Sequence, residues 1–125
     1  MERQLTAVFD SDILIDFLQG HEAARDAIRQ VELPRASIIT WMEVMVGARR
    51  VGGETAADQL FQAVPVVPLD EAIASRAIDL RISQRLKLPD AIVLATAREL
   101  SAILVTRNTK DFPVDERDIL VPYHV

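Results

Sequence analysis

Four carboxylates mark the places where this chain has the material for chemistry. Asp10 ends the apolar run Leu5-Thr6-Ala7-Val8-Phe9, and Glu43 is the lone charge between Ile38 and Val46. Asp90 opens Pro89-Asp90-Ala91-Ile92-Val93-Leu94-Ala95, and Asp111 closes the short loop after Ala102-Ile103-Leu104-Val105. Acids enter such runs at a cost, because a buried carboxylate without a partner is unfavourable. If the fold gathers all four, the partner that suits them is a hard divalent cation, which prefers oxygen ligands. Two carboxylates about 4 Å apart repel by roughly 4 kcal/mol at an effective dielectric of ~20. Several such pairs would consume much of a stability of ~5–15 kcal/mol unless a cation, or protonation of one member, relieved them.

Each acid also has a purely local explanation. Asp10, in Phe9-Asp10-Ser11-Asp12, is a suitable helix N-cap. Asp12 and Asp16 are candidate secondary participants, but solvent-facing helix positions suit both better. Thr40-Trp41-Met42-Glu43 matches a capping box, although the next turn, Val44-Met45-Val46, is entirely apolar. Asp90 in a first helical turn complements the helix dipole. Asp111 in Thr106-Arg107-Asn108-Thr109-Lys110-Asp111-Phe112 fits a polar turn. Singly these local roles suffice; their joint occurrence along one chain is what favours chemistry.

The elements that must position these acids alternate between strand and helix. Strands are expected at Leu5–Phe9, Arg35–Ile39, Val64–Pro68, Ala102–Val105 and, last and shortest, Ile119–Val121. The two prolines of Val64–Pro68 suit an edge or an end. Helices are expected at Asp12–Gln19, Glu22–Val31, Thr40–Val51, Glu54–Ala63, Asp70–Leu86 and Pro89–Leu100. In Glu22–Val31 the inward face is Ala23, Ala24, Ala27, Ile28 and Val31. Strands separated by helices imply parallel pairing, and runs apolar throughout imply helices on both sheet faces. In open α/β sheets ligands gather at the carboxyl ends of the strands. Asp10, Glu43 and Asp111 each follow such an end within a few residues.

Composition narrows the classes. The 125 residues fit one domain, spanning 1–125, with half its residues hydrophobic and 26% charged. There is no cysteine, which removes disulfides, thiolate metal sites and cysteine nucleophiles and is compatible with a reducing cytoplasm. The opening Met1-Glu2-Arg3-Gln4 and its short apolar run do not make a signal peptide, and no stretch approaches a membrane span. A net charge of −5 argues against a broad phosphate-binding surface, unless bound cations invert the local field. A phosphate loop and a nucleophile elbow are both absent, and His21 and His124 are the only histidines.

At these motifs the chain resembles the PIN-domain ribonucleases, most closely the VapC-type toxins of bacterial toxin–antitoxin pairs. The resemblance lies in Phe9-Asp10-Ser11-Asp12, Glu43-Val44-Met45-Val46-Gly47, Leu88-Pro89-Asp90 with its alanine-rich helix, and Thr106-x-Asn108-x-x-Asp111-Phe112. Asp12 departs from the family pattern, where asparagine or serine is more usual. The resemblance implies an α/β fold, a PIN-like domain with a central, mostly parallel sheet of four to five strands flanked by helices. It implies a Mg2+- or Mn2+-dependent endoribonuclease in which Asp10, Asp90 and Asp111 hold metal and Glu43 lies beside them. Ser11 and Thr106 would orient the acids, or simply cap backbone. Arg107 and Lys110, flanking the acids, are candidate RNA contacts. A homodimer and a small antitoxin protein are the partners implied. Two rivals stay open: an aspartyl-phosphate phosphotransfer domain with Asp10 as phosphoacceptor, and a non-catalytic binding module whose acids are caps.

Overall fold

Why the sheet forms where it does is clearest at its centre. In a computed structural model describing residues 6–113 and 116–125, β1 (Thr6–Phe9) is flanked on both sides and its Ala7, Val8 and Phe9 are fully buried. Leu5, expected in this strand, lies outside the described residues. The further strands are β2 (Leu33–Ser37), β3 (Val66–Val67), β4 (Ile103–Val105) and β5 (Ile119–Leu120). All pairings are parallel, in the order β3-β2-β1-β4-β5. The expected four to five strands are therefore five, and the proline-flanked segment is indeed an edge. It is shorter than Val64–Pro68, since Pro65 and Pro68 bracket a two-residue strand.

Among the described residues six helices cover the sheet: α1 (Ser11–Leu18), α2 (Glu22–Arg29), α3 (Ile38–Val51), α4 (Glu54–Ala63), α5 (Glu71–Gln84) and α6 (Leu88–Glu99). The alternation of side chains along β1 separates two cores. Val8 joins Leu104 and the buried faces of α5 and α6. Ala7 and Phe9 join Val105 with Ile13, Leu14, Val44, Ala57 and Leu60 from α1, α3 and α4. Burial of Phe9, Ile13 or Leu14 contributes roughly 1.5–3 kcal/mol each. On α2 the inward face is narrower than the sequence suggests: Ala24 is buried, whereas Ala23 is exposed.

The starts of α1, α3 and α5 carry side-chain caps. Asp70 Oδ1 accepts from Ile73 N–H at 2.8 Å, and Ser37 Oγ accepts from Ile39 N–H at 3.0 Å. The second cap corrects the Thr40–Glu43 capping box, because α3 begins at Ile38, two residues earlier than expected. At its other end Gly52, with φ +71, lets Gly53 N–H reach Ala48 O at 2.8 Å and closes the helix. Pro89 occupies the first turn of α6, where its missing N–H costs nothing.

Candidate active site

The strand order reverses between β1 and β4, and the sheet opens there at its carboxyl edge. Asp10 follows β1 and Thr106 follows β4, tied by Asp10 N–H donating to Val105 O at 2.9 Å. Around this point lies an open cleft of about 520 Å³ lined by Asp10, Ser11, Asp12, Glu43, Asp90 and Asp111, and also by Lys87, Arg107 and Asn108. The four expected acids thus arrive from four segments: the β1–α1 junction, α3, the first turn of α6 and the loop after β4. Asp10 is 7% exposed, Asp12 and Asp90 are half-buried, and Glu43 and Asp111 are exposed. Among the described residues, no three of these acids stand close enough together to chelate one ion as placed. Like charges repel at such spacing, and direct contact among three of them would require a counter-charge.

Asp10 caps a helix and also lines the cleft. Its Oδ1 caps α1 by accepting from Ser11 N–H at 2.8 Å, and its Oδ2 accepts from the Thr106 hydroxyl at 2.8 Å. Burial, then the neighbouring charge of Asp12, push its pKa up to about 7, against the opposing pull of Thr106 and Ser11. Burial also raises Asp12, and burial together with Asp111 and Glu43 raises Asp90, with Lys87 opposing. Asp12 Oδ2 accepts from Arg107 N–H at 3.1 Å, while its Oδ1 is buried without a hydrogen-bond partner of good geometry among the described residues. Asp111 is steadied by Asn108, whose Nδ2 donates to Asp111 Oδ2 at 3.0 Å and whose Oδ1 accepts from Asp111 N–H at 3.1 Å.

The sequence profile described as PIN domain matches residues 7–114 of this geometry. The chain belongs to the PIN-domain family. Ribonuclease VapC10 of Mycobacterium tuberculosis is 32% identical over 115 residues, 86% of each chain. A structure described as a toxin-antitoxin complex from Klebsiella pneumoniae has a TM-score of 0.86 at 40% identity, over 95% of this chain and 99% of that one. VapBC2 from Rickettsia felis, solved bound to a promoter DNA fragment, has a TM-score of 0.77 over 93% of this chain and 96% of that one. At 14% identity that likeness shows the shared fold alone.

In this PIN domain four residues stand apart from the sequence reading. Asp16, expected to face solvent, is only 5% exposed. Arg107, expected to contact RNA, lines the cleft but turns its guanidinium to Asp16: Nε donates to Oδ2 at 2.7 Å and Nη2 to Oδ1 at 3.2 Å. Tyr123, singled out by nothing in the sequence, donates its hydroxyl to Asp16 Oδ2 at 2.8 Å. Asp12 also departs from the solvent-facing expectation, since the backbone of the loop after β4 holds it. Lys110 is exposed on that loop and is not among the cleft-lining residues. Among the described residues, no helix is long and apolar enough to cross a membrane.

Proposed function

We propose that this PIN domain is a divalent-cation-dependent endoribonuclease and the toxin member of a toxin–antitoxin pair. The observation that carries the reading is the arrival of Asp10, Glu43, Asp90 and Asp111 in one open cleft at the β1/β4 switch point. The donor set suits Mg2+ or Mn2+: the acids offer only oxygen, and a buried Asp12 oxygen lacks a good partner. Asp10, Asp90 and Asp111 would hold the cation directly or through water, with Glu43 beside them. A bound cation supplies charge neutralisation at the scissile phosphate and eases ionisation of the attacking water.

The remaining work falls to the chain itself. Thr106 and Ser11 fix both Asp10 oxygens, so the deepest carboxylate of the cleft has one orientation. Asn108 does the same for Asp111. Glu43 is an exposed carboxylate of the cleft that Asn108 does not hold, as it holds Asp111, and its Oε atoms take the proton of the attacking water. Lys87, exposed on the cleft wall, meets a backbone phosphate as RNA enters. Likeness to the Klebsiella complex supports an antitoxin partner; a second copy of the chain and a cytoplasmic setting rest on family resemblance. The phosphotransfer alternative loses its footing once the family is the PIN domain.

The deciding experiment maps cleavage sites on total RNA with and without Mn2+, comparing wild type with Asp10→Asn and Asp90→Asn. Cation-dependent cuts that vanish in both variants are expected. Cuts that persist in Asp10→Asn would remove the assigned chemistry.

A further inference from the structure

Beneath the cleft lies an ion pair that the cleavage chemistry does not use. Asp16 is buried in α1, and Arg107 grips it with two prongs while Tyr123 adds a third hydrogen bond. Pairing of this planar, two-pronged kind fixes orientation as well as charge. Arg107 is the residue between Thr106 and Asn108. The Thr106 hydroxyl donates to Asp10 and accepts from Asn108 N–H at 2.9 Å. Arg107 N–H holds Asp12, and Asn108 holds Asp111. Three consecutive residues therefore touch three different acids of the cleft, and the middle one is bolted to the sheet's helical cover.

We propose that Asp16 is a positioning residue for the cleft, acting through Arg107 and Tyr123 to fix the loop that aligns Asp10, Asp12 and Asp111. The proposal rests on the reading of the cleft as a cation site. It also assigns Arg107 a different task from contacting RNA: its charge is committed to Asp16, and its backbone to Asp12. A neutral residue at 107 would leave Asp16 buried and uncompensated. A lysine would keep the charge but replace the fork with a single point contact.

The test uses Arg107→Lys and Tyr123→Phe in the full chain, with Asp90→Asn as control, at a temperature where circular dichroism shows each folded. Free Mn2+ is titrated by electron paramagnetic resonance, and kcat and KM are measured on one RNA. Arg107→Lys is expected to weaken Mn2+ binding and lower kcat by roughly 10–100-fold, the range for groups that orient metal ligands, with KM within about twofold. Tyr123→Phe, which retains the ring and loses only its hydroxyl, is expected to weaken Mn2+ binding several-fold and decides the matter if Arg107→Lys does not fold. A rise in KM with Mn2+ affinity and kcat unchanged would overturn the proposal and return Arg107 to RNA contact. Wild-type Mn2+ affinity in both variants, with binding abolished by Asp90→Asn, would overturn the positioning role while the cation reading stands. Absence of Mn2+ binding by the wild type would sink both.

Discussion

Replacing Asp10 by asparagine should stabilise the cation-free protein at neutral pH, and by an amount that the structure sets. The Asp10 carboxyl is pushed from its ordinary 3.8 to about 7, chiefly by burial. Between those values the folded state retains a proton that the unfolded state has released. Stability therefore falls as pH rises from about 4 to 7, and the penalty is complete above 7. At about 1.4 kcal/mol per pH unit, it amounts to about 4 kcal/mol, an upper bound because the cleft relaxes around the charge. Asparagine removes the charge and keeps the contacts: Oδ1 still accepts from Ser11 N–H, and the Thr106 hydroxyl can accept from the new amide while turning its proton toward Asp12 Oδ2, already 3.4 Å away. Urea unfolding of both proteins in EDTA at pH 4, 6 and 8 checks this. The variant should be more stable by up to about 4 kcal/mol at pH 8, less at pH 6, and equal or slightly weaker at pH 4. A variant that is less stable at pH 8, with a gap independent of pH, would refute the buried-charge reasoning. Mn2+ should then narrow the gap, and close it at about 1,000 times the wild-type Kd, where the ligand contributes about 4.1 kcal/mol that the variant, binding poorly, does not gain.

Three further outcomes follow from the same structure. Mn2+ at 100 times its Kd should stabilise the wild type by about 2.7 kcal/mol, and Asp90→Asn should lose most of that response in a thermal melt while its cation-free form melts no lower. Leu94→Ala, which empties a fully buried position on α6 between α5 and the sheet, should cost about 2–5 kcal/mol in urea unfolding. Ser37→Ala deletes the hydroxyl that starts α3 and should cost about 1 kcal/mol by the same assay, with cleavage retained once folded.

Much of the architecture was legible because parallel sheets write themselves plainly. Runs such as Ala7-Val8-Phe9 and Ile103-Leu104-Val105 are apolar on both faces only when helices cover both, and α/β alternation then fixes parallel pairing. The cleft was legible for a related reason. The carboxyl ends of parallel strands share one edge, so Asp10, Glu43 and Asp111, each following such an end, need no long-range information to meet, whereas Asp90 is brought in by the first turn of α6. Boundaries were harder where two local preferences competed. Ile38 and Ile39 are β-branched and read as the continuation of a strand, yet they open α3, where the Ser37 hydroxyl satisfies the otherwise free Ile39 N–H.

Asp16 shows where sequence reasoning stops. Nothing within a helical turn of it announces a partner, and its two partners lie 91 and 107 residues further along. The chain offers 14 lysines and arginines, and local preference cannot choose among them. One signal was present: α1 carries Asp12 and Asp16 one turn apart, on a helix whose Ile13 and Leu14 are buried. Two acids on so short and largely apolar a helix raise the question of what neutralises the second. An acid whose partner is a cleft can be recognised from its own surroundings, because the strand end delivers it there. An acid whose partner is a single arginine is decided by how the β4 loop returns over α1, and that return is a property of the packed fold. The acids that line the cleft were therefore easier to find than the ion pair beside them.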